Sequence, residues 1–462
     1  MTSHSRWFKP LGATAALAII VGACGTAATP SPSTASVAPP PSAAASVTAA
    51  SPSAAANACG DAPVTLNVWG GYPELDPVYT KAGAAYKALH PNVDFTVFST
   101  DLRGFEQKLT TALPSKTAGD VVVRTTNFLA RFIDQGLIAP PPDSLKTFVK
   151  SGAFVQAVVD DATYKNEVWG VPIFNGGTAL FYNTDMLTEA GLSGPPTSMD
   201  QIIDYAKKLA KLDSSGNVER AGLSLRLSGQ GSGVAEKFWI LLLQYGKTIV
   251  AQQADGKWAA DYNGPEGQKL LGMYMDFLKN KVDSPNIDHD AKAFETKAAA
   301  MFARESWVVA DIATNSPDLV GHYGTVSLPV GDLGGGEYAH VPAASPNQAC
   351  AWDFIKFLTD QTQQLDLVTT AGWLPARADL DLTAFLTANP GYEGFLKKPA
   401  ALKTTLAPPI PEWDEIETKL ATHLVDAYAD FATTAGNTTK IASLLDTWAT
   451  ETNKILTTNG HH

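Results

Sequence analysis

Between residues 64 and 136 short apolar runs alternate with amphipathic helical patterns, and this alternation constrains the fold more than any other feature of the chain. Thr65–Trp69 reads as a strand, and Pro77–Leu89 places Val78, Ala82, Ala85, Tyr86 and Leu89 on one helical face. Val93–Phe98 alternates like a strand, Phe105–Leu113 is helical, and Asp120–Arg124 has the unbroken apolar centre of a buried strand. Phe128–Gln135 forms the next helix, closed by Gly136. Short connections between alternating strands and helices predict an α/β fold, a parallel sheet covered by helices. In such sheets ligands gather at the carboxyl ends of the strands. Those ends carry Gly70-Gly71-Tyr72, Ser99-Thr100-Asp101 and Arg124-Thr125-Thr126-Asn127, all small or polar.

The amino terminus sets where this fold works. Arg6 and Lys9 precede an apolar run from Leu11 to Ala23 that is too short for a membrane span and fits an export signal. The run ends in VGAC, which looks like the lipobox of bacterial lipoproteins. Residues 1–23 are therefore expected to be a lipoprotein signal peptide and Cys24 the lipidated first residue, with ordinary secretory cleavage elsewhere as the alternative. Residues 24–59 are rich in Ser, Pro and Ala, and from Gly25 to Ala58 carry no charge and no large apolar residue except Val. They cannot build a core and are expected to form a disordered tether, a role compatible with an O-glycosylated stalk. No later apolar run is long enough to span a bilayer. The protein is thus expected to be exported and lipid-anchored to the outer face of the cytoplasmic membrane.

The remaining stretch of about 400 residues is enough for two domains. A hydrophobic fraction of 45% supports sizeable cores, and a net charge of -12 without a basic stripe argues against a nucleic-acid partner. Beyond Cys24, Cys59 and Cys350 are two thiols in an oxidising compartment, where a disulfide is possible; the absence of CxxC argues against a zinc ribbon or thioredoxin-like centre. Catalytic signatures are missing. With 46 Asp and Glu residues a carboxylate pair can always be found, but none stands in a recognisable glycosidase loop. Gly246-Lys247-Thr248 lacks the upstream glycine of a phosphate loop, because Leu241 holds that position. GxSxG and HExxH do not occur, and Asp288-His289-Asp290 reads as a solvated helix start rather than a metal site. No enzyme activity, cofactor or metal is expected.

Several later stretches carry a family likeness in order: TLNVWGG, YKNEVWGVPIFNGGTALFYNTDMLTEAGL, AFETKAAAMFARESWV, GTVSLPVG, SPNQACAWDFIKFLTD and TTAGWLPAR. Spread over residues 64–462, they resemble the extracellular solute-binding proteins that serve ATP-binding-cassette importers, in the carbohydrate-binding, maltose-binding-protein-like branch. Thr197–Ile202 and Thr296 depart from the family pattern at structural positions. The resemblance implies a two-lobed periplasmic-binding-protein-like fold of type II, each lobe a mainly parallel sheet flanked by helices, the lobes joined by a hinge. The N-lobe would combine residues 60–172 with 329–370, and the C-lobe 173–328 with 371–462. Crossings would fall at Gly176 and Gly177, at Ser327–Pro329 and at Gly372–Pro375, which makes Gly176, Gly177, Pro329 and Gly372 the hinge candidates. The two glycines at 176 and 177 would supply backbone geometry other residues resist. Cys59 and Cys350 would share a lobe, which favours their pairing. A monomer delivering solute to permease subunits is implied.

A sugar presents C–H faces ringed by hydroxyls, so its site needs flat aromatics and planar polar groups. The candidates are Tyr72, Glu74, Asp101, Arg124, Asn127, Phe174, Asn175, Trp239, Trp307, Trp373, Glu412 and Trp413. Trp307 and Trp413 occupy positions where the family places cleft residues. Trp239 sits in the apolar helix FWILLLQY, where core packing competes; Trp69 ends a buried strand, and Trp352 is assigned to packing. The expected solute is a mono- or oligosaccharide. A polyol, glycerophosphodiester, polyamine or peptide on the same scaffold is the alternative, with Arg124 suited to an anionic group, and an exported glycoside hydrolase is a third reading.

Overall fold

The computed structural model describes residues 57–229, 232–458 and 460–461. The signal peptide, Cys24 and nearly all of the tether lie outside the described residues. Two sheets organise the rest. The first runs in spatial order Leu374–Pro375, Val171–Asn175, Gly336–Pro342, Val121–Val123, Val64–Gly70 and Val93–Ser99. The second places Thr178–Asn183 between Met301–Glu305 and Tyr323–Ser327.

Parallel pairing is narrower than expected. Val64–Gly70 pairs parallel with Val93–Ser99 and with Val121–Val123, the strands being linked through the helices Asp76–Leu89 and Leu102–Ala112, as parallel neighbours require. Gly336–Pro342, Val171–Asn175 and Leu374–Pro375 join antiparallel, and the second sheet is antiparallel throughout. Gly336–Pro342 returns from the second sheet without a helical crossover to turn it round, and it runs antiparallel to both Val121–Val123 and Val171–Asn175. The strand–helix alternation read in the sequence covers only the first three strands.

The first helix begins with Pro77 in its first turn, where the missing N–H costs nothing. It buries Val78, Tyr79, Ala82, Gly83 and Tyr86, while Ala85 and Leu89, expected on the same face, are exposed. Gly83 lets it seat closely on the sheet: a Cβ there would lie 2.9 Å from the Phe95 ring. Thr125 caps the helix Thr126–Asp134 by accepting the Phe128 N–H at 3.3 Å.

Two separate large cores make the protein two-lobed. One gathers Leu66, Val68, Val121, Ile173, Phe174, Trp352 and Trp373. The other gathers Leu180, Phe238, Trp239, Tyr274, Trp413 and Trp448. Ile173 and Phe174 belong to the first core, and Leu374–Pro375 pairs with Val171–Asn175. The first sheet therefore holds the chain to Asn175 and takes it again at Leu374–Pro375, beyond the boundaries expected at 172 and 371. Burial of these apolar side chains carries the strands further than the motif edges suggest. A disulfide joins Cys59 to Cys350 across 291 residues, tying the start of the first lobe to the helix Gln348–Leu358.

Candidate functional site

A cleft of about 930 Å³ opens between the lobes. The first lobe contributes Tyr72, Arg124, Phe128, Phe174 and Trp373; the second contributes Glu236, Arg304, Glu305, Trp307 and Trp413. One wall is aromatic. Phe174 and Trp373 stack with centroids 4.2 Å apart, and Tyr72 stands edge-on to both, at 5.7 and 5.8 Å. The Trp373 indole N–H donates to Glu74 Oε1 at 3.3 Å. Across the cleft, Trp307 donates to Glu305 Oε2 at 3.3 Å, and the Arg304 guanidinium lies 5.4 Å from its ring. Trp413 begins the helix Trp413–Ala429 and packs against Trp239, centroids 4.8 Å apart.

Beneath the aromatic wall lies a buried ionic network. Arg124, at a strand end as the sequence suggests, donates to Glu106 Oε1 from Nε at 3.1 Å and from Nη2 at 2.5 Å, and to Glu337 Oε1 at 2.8 Å. Tyr72 donates to the same Glu337 oxygen at 2.9 Å. Arg124 is thus engaged by two carboxylates and does not present a free guanidinium to an anion, which counts against the anionic-solute alternative. Burial pushes the Glu337 carboxyl up to about 7; Arg124 and Tyr72 pull it down, and Glu106 and Asp161 push it further up.

The structure places the sequence candidates unequally. Tyr72, Glu74, Arg124, Asn127, Phe174, Trp307, Trp373 and Trp413 all line the cleft. Four do not. Asp101 caps the helix Leu102–Ala112, accepting the Gly104 N–H at 3.0 Å. Asn175 is half-buried at the end of its strand, where its backbone pairs with Gly336 and Leu374. Trp239 is 2% exposed in the second core and donates to Thr248 Oγ1 at 2.8 Å, so packing is its role. Glu412 is buried against His461, its Oε2 2.9 Å from Nδ1. Arg103, Asp161, Glu236, Arg304, Glu305, Glu337 and Glu417 line the cleft but were not read from the sequence. Arg304 and Glu305 carried a usable signal, because they stand just before Trp307 in FARESW.

Gly176, Gly177 and Pro329 sit on segments between the two sheets, whereas Gly372 lies within the first lobe, between the helix Gln361–Ala371 and Leu374–Pro375. Gly176 and Gly177 join the last residue of Val171–Asn175 to the first of Thr178–Asn183. Neither has positive φ, so the expected backbone freedom is not why they are glycine. Close approach explains Gly176: its N–H donates to the Gly335 carbonyl at 2.6 Å, and a Cβ would stand 3.0 Å from that oxygen. Pro329 is half-buried between Tyr323–Ser327 and Gly336–Pro342. Gly372 needs glycine on two counts. Its φ is +75°, and a Cβ would lie 2.6 Å from the Ala310 Cβ on the helix Trp307–Asn315 of the other lobe.

Arg103 clasps the lobes. From the helix Leu102–Ala112 it donates to Glu106 at 2.7 Å on its own lobe, and to Asp414 at 2.8 Å and Ser232 at 2.6 Å on the other. Its side chain is 39% exposed and that of Asp414 59%, so the inter-lobe pair contributes about 0.2–1 kcal/mol. Arg103→Gln is expected to shift the population toward separated lobes by up to about fivefold. Fluorescence transfer between dyes on the two lobes should report a longer mean distance, and added salt should move wild type toward the variant.

Glu337 makes a pH prediction with a definite sign. Its folded value of about 7 lies above the unfolded value of about 4.3. Its contribution to stability is fully present below about pH 4.3 and is lost as pH rises through about 7. Glu337→Gln cannot ionise, so its melting temperature should gain on wild type between about pH 5.5 and about pH 8, by the equivalent of about 2 kcal/mol. A difference independent of pH across that window would count against the assignment. Buried His340, lowered to about 3 by desolvation, works the other way in both proteins and cancels in the comparison.

Comparison with known proteins agrees with this geometry. Residues 81–394 match the family of bacterial extracellular solute-binding proteins. A binding protein of Brucella abortus is 24% identical over 354 residues, covering 74% of this chain and 82% of that one. The lactose-binding protein of Rhizobium radiobacter is 23% identical over 323 residues, 66% of this chain and 69% of that one. The solved structure of an ABC transporter solute-binding protein from Thermotoga lettingae, bound with α-D-tagatose, is similar with a TM-score of 0.71 at 23% identity, covering 85% of this chain and 99% of that one. This last likeness speaks to the fold, which is the two-lobed arrangement described above. With a family match spanning both lobes and the cleft between them, the chain belongs to the bacterial extracellular solute-binding proteins.

Proposed function

We propose that the protein captures a mono- or oligosaccharide in the inter-lobe cleft and delivers it to the permease subunits of an ATP-binding-cassette importer. The observation that carries this reading is the aromatic wall of Tyr72, Phe174 and Trp373 facing Trp307 and Trp413 from the other lobe. Flat rings match the C–H faces of a sugar, and the planar carboxylates and guanidinium groups around them match its hydroxyls. A lactose-binding relative and a tagatose-bound structural neighbour support a carbohydrate solute. Lobe closure about the segments at Gly176–Gly177, around Pro329 and after Gly372 would complete the contacts and exclude water, and the closed form is what the permease would recognise. The protein works as a monomer, held by lipid on Cys24 to the outer face of the cytoplasmic membrane, and it binds rather than transforms its solute.

The test is the melting temperature against monosaccharides, α- and β-linked oligosaccharides, polyols, amino acids, polyamines and phosphodiesters. A solute at a hundred times its dissociation constant adds about 2.7 kcal/mol. Shifts confined to related saccharides are expected, and Trp307→Ala should weaken the saccharide with the largest shift by at least about tenfold through loss of a stacking face. Shifts only with non-sugar solutes would replace the carbohydrate, and saccharide turnover would replace the binding role.

A further inference from the structure

We infer that the cleft selects a saccharide bearing a protonated amine and turns acidic sugars away, an inference that rests on the saccharide reading above. Among the described residues the cleft is lined by eight carboxylates and five cationic side chains. The cations are almost all committed. Arg103 pairs with Glu106 and Asp414, Arg124 with Glu106 and Glu337, and Arg304 with Glu236, Glu305 and Asp290. Lys419 pairs with Glu451 at 3.0 Å. Arg131 is exposed, its guanidinium over the Phe128 and Phe132 rings. A carboxylate or phosphate on the solute would enter a site of its own sign and, Arg131 apart, find its natural partners already taken.

Two carboxylates beside the aromatic wall can take up an ammonium. Glu74 is exposed at the edge of the aromatic wall, where the Trp373 indole N–H holds one of its oxygens. A carboxylate beside aromatic rings is the arrangement that takes up a desolvated cation. Glu337 is 2% exposed and lines the cleft; Tyr72 and Arg124 share its Oε1, while its Oε2 is buried with no hydrogen-bond partner. A buried carboxylate oxygen without a donor is costly, and a donor brought by the solute as the lobes close would relieve it.

Titration calorimetry on the full chain with matched β-1,4 disaccharides separates the possibilities: cellobiose, N,N′-diacetylchitobiose, fully deacetylated chitobiose and cellobiouronic acid, with D-glucosamine, D-glucose and D-glucuronate as monosaccharides. In at least one size class the amine is expected to bind about tenfold or more tighter than its neutral counterpart, and the uronate not to bind. Glu74→Gln should bring the ratio of amine to neutral affinity toward one. Neutral sugars binding as tightly as amines, or a uronate binding at all, overturns the charge inference and leaves the saccharide reading standing. Spermidine binding while no sugar does overturns the saccharide reading instead, and heat with no probe overturns both.

Discussion

Arg124→Met is expected to destabilise the protein by about 3–5 kcal/mol. The side chains of Arg124, Glu106 and Glu337 are only 12%, 7% and 3% exposed. Methionine fills much of the space but leaves Glu337 buried without its cation and Glu106 with Arg103 alone, and uncompensated burial rather than lost packing sets the size of the effect. Glu337 would then titrate higher than in wild type. Its protonation at low pH removes the penalty, so the deficit should shrink as pH falls from about 8 to about 5. Urea unfolding across that range checks it. A deficit of constant size would point to packing, and recovery in the combined variant Arg124→Met, Glu106→Gln, Glu337→Gln would locate the cost in unpaired charge.

Loss of the Cys59–Cys350 disulfide has the second large effect, about 2–4 kcal/mol. The bridge closes a loop across 291 residues and both sulfurs are buried, at 8% and 2% residue exposure. Removing it releases denatured-chain entropy and lets the segment before Val64–Gly70 detach from the helix Gln348–Leu358. Cys59→Ser with Cys350→Ser should melt lower than wild type, and a reductant should lower wild type to the level of the double variant without changing the variant. Alkylation of non-reduced wild type should label neither thiol. Labelling of both, or a double variant as stable as wild type, would remove the bridge from the account of stability.

Much of the site was legible because its residues sit at local signals. Tyr72, Arg124 and Asn127 follow strand ends, Trp373 follows a helix stop at Gly372, and Trp307 follows a strand, so position along an element placed each near the cleft. Trp239 shows the limit. A tryptophan in an apolar helix looks alike from either side of that helix, and here Trp413 lies between it and the cleft and carries the surface. Asp101 and Glu412 had the right chemistry at an element's start but turned to local partners, the Gly104 N–H and His461. Glu337 could not have been found, since its significance lies in Arg124 and Tyr72, 213 and 265 residues away.

The sequence by itself determined the alternation that builds the first sheet, the small and polar strand ends, the acidity that argues against a nucleic-acid partner and the family whose two lobes make a cleft. These depend on patterns a few residues long, where backbone periodicity and local sterics dominate. Only the tertiary structure decided that later strands enter antiparallel, that Gly176 is small for its contact with Gly335 rather than for its φ, and that Arg124 is neutralised before any solute arrives. Strand direction, close approach and charge pairing are set by groups far apart in the chain, and their energies exist only once burial has brought them together.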